Sequence, residues 1–119
     1  MNKLLIATAL FAVSTFVQAQ ASGAVCSGTA GAGTPVTDGT SGTHFILKGF
    51  TPRCSGNVSL SFSQNARAVG VASASSKGSA YFKGNSEGGA VRGTDCTAKR
   101  CDGTEAAANV ATALSESGA

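Results

Sequence analysis

Four cysteines are the residues whose chemistry this sequence defines best. They are Cys26, Cys54, Cys96 and Cys101. Their number is even, and all four follow a segment typical of an export signal, so disulfides are the expected state. Three pairings are possible, and we favour Cys26–Cys54 with Cys96–Cys101. Closing these loops would stabilise the fold by about 3.5 and about 2 kcal/mol in the chain-entropy model.

A metal site is the alternative interpretation of four cysteines. Structural zinc sites commonly use two cysteines separated by two residues, and no pair in this chain has that spacing. His44 is the one histidine and adds little coordinating capacity. The sequence therefore predicts disulfides, with no metal and no cofactor.

The segment between Cys96 and Cys101 is the one compact feature that could recognise a partner. A disulfide across it would present Lys99 and Arg100 at the tip of a tight loop. The plainer interpretation is a solvated loop that is closed for stability. The alternative is a recognition loop for an acidic partner, an anionic envelope polymer or a protease that cleaves after basic residues. A preorganised loop would favour such binding because less ordering remains to be done.

Catalytic residues are sparse and unpaired. His44 falls on a predicted strand, and a Cys–His nucleophile would need a reduced thiol, which an exported chain does not favour. The six carboxylates are not spaced so that two of them share one face of a strand or helix. The sequence therefore predicts a protein that is not an enzyme.

Residues 1–19 have the composition of a cleaved secretory signal of bacterial type. Lys3 precedes an apolar stretch over 4–17, and Ala19 ends a small-residue cleavage site. The apolar stretch is short for a membrane span. We expect residues 20–119 to form one small domain, secreted or periplasmic, with no membrane span after signal cleavage.

The charge of this domain does not favour nucleic acid as a partner. The whole chain has nine basic and six acidic residues, and cleavage would remove Lys3 and leave eight basic residues. These are scattered along the chain, whereas nucleic-acid binding needs a clustered basic face.

Alternating side chains predict a central strand over 57–63. Val58, Leu60 and Phe62 alternate with serines, which indicates a buried apolar face and a solvent-exposed serine face. Further short strands are predicted at 24–26, 43–50, 66–74, 80–83 and 90–92. Short turns between the strands of residues 57–83 favour an antiparallel meander.

Two of these strands leave alternatives open. Ala68, Gly70 and Ala72 share one face of the strand at 66–74, which indicates either close approach of another backbone or an exposed flat face. In the strand at 80–83, either Phe82 or Tyr81 faces the core. If the chain assembles into larger structures, the flat strand at 66–74 is the candidate for an unsatisfied edge or an apolar patch.

A short helix is predicted at about 104–115. Asp102 or Thr104 would cap it, and Glu105 would complete a capping box with Asp102. Its apolar stripe is formed by Ala107, Val110, Ala111 and Leu114.

The predicted fold class is mainly β: a small antiparallel sheet or sandwich of short strands, stapled by disulfides, with one short C-terminal helix. The predicted function is an exported non-catalytic structural or binding protein of the bacterial envelope or exterior. Its partner would be another envelope protein or an anionic surface polymer. The alternative is a small secreted inhibitor or ligand-recognition module that uses the Cys96–Cys101 loop.

Overall fold

Seven strands and one helix form from residues 22–116, the part of the chain that the computed structural model describes. The strands are β1 (Gly23–Ser27), β2 (Gly31–Ala32), β3 (Arg53–Cys54), β4 (Val58–Gln64), β5 (Val69–Ser75), β6 (Ala80–Asn85) and β7 (Arg92–Asp95), and the helix is α1 (Gly103–Ser115). The predicted signal peptide at 1–19 lies outside the described residues. The described chain is mainly β with one C-terminal helix, as the sequence predicts.

The main sheet has five strands in the order β1-β4-β5-β6-β7, and every neighbouring pair is antiparallel. The predicted meander from β4 to β6 is confirmed, and the strand predicted at 24–26 is present as β1, at one edge of the sheet. β2 and β3 form a separate two-stranded pair. The expectation that the strand at 66–74 offers an edge is wrong, because β5 is the middle strand and is bonded on both sides.

The serine face of β4 is buried, which corrects the prediction that it faces solvent. Ser61 and Ser63 are only 3% and 2% exposed, because α1 packs over this side of β4, β5 and β6. On β5 the same side presents Gly70, Ala72 and Ala74, all buried. Small side chains on the sheet let an alanine-rich helix come close, so the close-approach interpretation of these residues is confirmed.

The opposite face of β4 is the apolar one, and it is only half-buried. Leu60 and Phe62 pack against a cluster formed by Val25, Cys26 and Val36. The segment between β2 and β3 covers this end of the face, and Ile46 from that segment joins the same cluster.

The strand predicted at 43–50 is wrong. This segment is irregular, and its ladder is reduced to a single bridge between Phe50 and Val36. Side chains accept hydrogen bonds from backbone N–H groups that would otherwise pair with a neighbouring strand. The Gly49 N–H donates to Asp38 Oδ1, and the Thr40 N–H donates to His44 Nδ1. Such local side-chain bonds compete with strand pairing, which alternation in a sequence does not reveal.

The helix begins where the sequence predicts and buries a slightly different stripe. Asp102 is its N-cap, and Oδ1 of Asp102 accepts the N–H of Thr104 and of Glu105. Its buried residues are Ala106, Val110 and Ala113, whereas Ala107 and Ala111 of the predicted stripe are exposed. The buried stripe is rotated about the helix axis relative to the predicted one, because the helix packs against Tyr81, Ala72 and Ala74 of the sheet.

Tyr81 resolves the alternative at β6: it is buried, and its hydroxyl donates to Asn109 Oδ1 at 3.1 Å. Phe82 points to the other side and is exposed.

Both predicted disulfides are present. Cys26–Cys54 joins β1 to β3 with a Cα–Cα distance of 5.6 Å, and Cys96–Cys101 closes the segment between β7 and α1. Two disulfides are typical of a chain that folds in an oxidising compartment outside the cytosol. Among the described residues, no helix has the length and apolar character needed to span a membrane.

Candidate functional site

The Cys96–Cys101 loop is held at both ends to the turn between β5 and β6. The disulfide brings the two Cα atoms to 5.4 Å. The N–H of Cys96 donates to the Ser79 carbonyl oxygen at 2.8 Å, and the N–H of Cys101 donates to the Gly78 carbonyl oxygen at 3.0 Å. The loop is therefore ordered by the sheet as well as by its own disulfide.

Two carboxylates tie the same loop to the start of α1. Oε1 of Glu105 accepts the Thr97 N–H at 2.6 Å, so Glu105 secures the loop and does not form the predicted capping box. Asp102 caps the helix. The hydroxyl of Thr104, followed by the backbone N–H of Glu105, donates to the Asp102 carboxylate and lowers its pKa, because these bonds favour the charged form.

Lys99 and Arg100 lie exposed on this ordered loop, as the recognition hypothesis requires. Neither side chain forms a hydrogen bond or ion pair with the described residues. The turn that holds the loop also carries Lys77, which is exposed and likewise free in its side chain. The structure therefore brings a third cation to the two that the sequence indicates. Only the register of β5 and β6 could have revealed it.

Acidic residues at the same end limit this positive charge. Asp95, Asp102 and Glu105 balance the three cations formally. Asp102 and Glu105 are occupied by backbone N–H groups, whereas Asp95 has no partner among the described residues. The loop thus offers cations that are free to bind, at an end whose formal charge is balanced.

The disulfide decides the metal-binding capacity of this region. The sulfur atoms of Cys96 and Cys101 and a carboxylate oxygen of Glu105 lie within 4.8 Å of one another. The two sulfurs are bonded to each other and so are not thiolates, the form that binds a metal. In this state the group has one effective ligand.

His44 and Asp38, two side chains that could act as an acid or a base, are occupied elsewhere. Nδ1 of His44 accepts the Thr40 N–H at 3.1 Å and closes a turn. Asp38 accepts the Gly49 N–H and lies 3.7 Å from Lys48. Each of these side chains has a structural role in the irregular segment, and the structure does not bring them to the loop.

The sheet face opposite α1 exposes a contiguous group of apolar side chains, named here the apolar patch: Val71, Phe82 and Val91. They are 41%, 51% and 71% exposed. Val71 pairs with Gly84, and Cγ2 of Val91 lies 3.2 Å from the position that a Gly84 Cβ would occupy. Phe82 pairs with Gly93 and lies over it in the same way, because Cε1 of Phe82 is 2.9 Å from the position that a Gly93 Cβ would occupy.

Charged side chains are absent from this face of the three central strands, as the register of the described sheet shows. Its residues are Val58, Leu60, Phe62, Gln64, Val69, Val71, Ser73, Ser75, Ala80, Phe82 and Gly84. The strand at 66–74 was the predicted candidate for an apolar patch, and Val71 of that strand belongs to it. The contributions of Phe82 and Val91 were not predicted, because a glycine-rich loop separates Val91 from the strands that it flanks.

Comparison of the chain with protein-family models, curated proteins and solved structures finds no match. No residue role is therefore carried over from another protein.

Proposed function

We propose that this chain is an exported, non-catalytic binding protein of the bacterial envelope or exterior, and that it contacts another envelope protein through the apolar patch. The observation that carries the proposal is the contiguity of Val71, Phe82 and Val91 on a sheet face whose three central strands carry no charged side chain. Single exposed apolar residues are ordinary, but a contiguous group on one face is typical of an interaction surface.

The chemistry of the patch favours a protein partner with a neutral apolar surface. Completing the burial of one such half-exposed side chain contributes about 1 kcal/mol before the cost of association. The patch offers no cation to an anionic polymer, so this face does not fit the polymer that the sequence analysis also considered. The disulfides support export, since they form outside the cytosol.

A photo-crosslinking amino acid at position 82 tests the proposal in the producing cell. We expect one defined adduct with an envelope protein from position 82. Leu47 is 52% exposed and lies in the irregular segment, so the same substitution there is the matched control and should give no adduct. An adduct with a second copy of this chain would show that the patch mediates self-assembly and does not bind an envelope protein. No adduct from position 82 would contradict the proposal.

The second candidate is a small inhibitor or ligand-recognition module that acts through the Cys96–Cys101 loop. Three free cations on an ordered loop and its supporting turn favour it: Lys77, Lys99 and Arg100. Its partner would be anionic, so binding should weaken as salt screens exposed charges beyond about 8 Å. The crosslinker placed at position 99 separates the two candidates, because an adduct from position 99 alone would support the loop.

A further inference from the structure

A cleft of about 590 Å³ lies between β7 and the C-terminal end of α1. It exists because the helix packs on β4, β5 and β6 and leaves β7 exposed along its whole length. The floor is the helix-facing side of β6 and β7, one wall is the end of α1, and the loop over 86–91 forms the rim.

Two cations are paired across the floor of the cleft. Lys83 of β6 pairs with Arg92 of β7, so both side chains leave the sheet on the same side. Like charges directly opposite each other in an antiparallel pair destabilise the sheet unless an anion lies near them.

One of the two cations has an anion and the other has none. Nζ of Lys83 lies 2.7 Å from Oε1 of Glu116, and the Lys83 side chain is only 11% exposed. Arg92 forms no hydrogen bond or ion pair with any residue in 22–116. The three side chains together have a net charge of +1, and the free charge is the Arg92 guanidinium.

We propose that this cleft binds the carboxylate of a small polar molecule, with Arg92 as its main ligand. A guanidinium presents two parallel N–H donors that match the two oxygens of a carboxylate. Lys83 keeps donors beyond the one that it gives to Glu116, and its ammonium lies at the same place on the floor. A single negative charge would neutralise the +1 site.

The rest of the lining selects a polar molecule. The hydroxyl of Thr94 forms no hydrogen bond with the described residues, and four of the lining residues are glycines. The lining contains no aromatic and no large aliphatic side chain. A ligand with hydroxyl groups around its carboxylate fits this surface better than a fatty acid.

Titration of the 15N-labelled protein with galacturonate, followed by amide chemical shifts, tests the proposal. Galactose is the neutral match, since it has a CH2OH group in place of the carboxylate. We expect saturable shifts at residues 83–94 with galacturonate and none with galactose. Equal shifts with both sugars, or shifts confined to residues 96–101, would overturn the proposal.

Two variants with opposite expected effects make the test specific. Arg92→Gln should weaken galacturonate binding by about tenfold or more, the usual magnitude for a charge-assisted hydrogen bond. Glu116→Gln should strengthen it severalfold, because the charge of the site rises from +1 to +2. Arg67→Gln removes an exposed arginine of the β4–β5 turn and should leave the affinity unchanged.

Stability separates binding from a structural role. Removing Arg92 relieves its repulsion from Lys83, so Arg92→Gln should melt at or above the wild-type temperature. Retained affinity in Arg92→Gln would overturn the proposal, as would weaker binding in a Glu116→Gln protein that keeps the wild-type amide spectrum.

Discussion

Gly70 of β5 lies directly against the backbone of α1 at Leu114, so adding one methyl group there should displace α1. A Cβ at Gly70 would lie 2.7 Å from the backbone nitrogen of Leu114 and 2.9 Å from its Cα. A backbone cannot rotate away as a side chain can, so the helix must shift. Overpacking of this kind costs about 1–3 kcal/mol.

The predicted change in unfolding is large for a domain of this size. At about 4–8 °C per kcal/mol, a loss of about 2 kcal/mol lowers the melting temperature of Gly70→Ala by about 8–16 °C. Urea denaturation should show the same loss in the free energy of unfolding with an unchanged slope.

Gly78 provides a matched control with the opposite sign. A Cβ at Gly78 would lie 3.5 Å from the Ser75 carbonyl oxygen, which is an ordinary contact, and its backbone does not need a glycine. Gly78→Ala should therefore gain about 0.4–1 kcal/mol, because the unfolded chain loses freedom.

Two outcomes would refute the reasoning about Gly70. One is an unfolding free energy of Gly70→Ala within about 0.5 kcal/mol of the wild type, the range of a neutral surface change. The other is rescue of Gly70→Ala by Leu114→Ala. The closest contacts of the added methyl are to the Leu114 backbone, so trimming the side chain should not restore stability.

Three further predictions concern the loop and the helix cap. Replacing Cys96 and Cys101 together by Ser should lower the free energy of unfolding by up to about 2 kcal/mol and speed amide exchange in the first turn of α1. Unchanged exchange there would show that the disulfide does not hold the start of the helix. Replacing Lys99 and Arg100 by Ala should leave the free energy of unfolding within about 0.5 kcal/mol of the wild-type value. If the same variant is no longer retained on an anionic polymer that retains the wild type, the second candidate function is supported. The pKa of Asp102 is lowered on folding, so its carboxylate stabilises the protein at pH values above the unfolded pKa of 3.8. This stability is lost as the pH falls through the pKa of the folded state. Asp102→Asn keeps the capping oxygen but cannot titrate, so its stability should fall less steeply with decreasing pH when acid unfolding is followed by circular dichroism. An equally steep fall in the variant and the wild type would show that the Asp102 carboxylate does not cause this pH dependence.

Local signals were sufficient to predict the disulfide pairs, the meander and the start of the helix. The cap is an example: Asp102 directly follows Cys101, and a carboxylate before a run of alanines is a strong start signal. The even cysteine count and the two favoured loops likewise required no knowledge of distant contacts.

Alternation in β4 identified two faces but assigned the wrong environment to the serine face. Hydrophobicity suggests burial of Val58, Leu60 and Phe62, yet Ser61 and Ser63 are the more deeply buried residues. The reason is geometric, because an alanine-rich helix comes closest to the face with the smallest side chains. A sequence pattern of period two cannot report which face a distant helix selects.

The remaining surfaces follow from the size of one helix. Five strands at about 4.8 Å spacing make a sheet roughly 24 Å wide, whereas a helix with its side chains is about 10 Å across. One helix of 13 residues therefore covers the middle of one face and cannot reach β7. On the other face, the irregular segment covers the end near Leu60 and Phe62 and leaves Val71 and Phe82 exposed. Neither the helix nor the irregular segment covers the cleft at Arg92 or the apolar patch, and each is accessible to a partner for that reason.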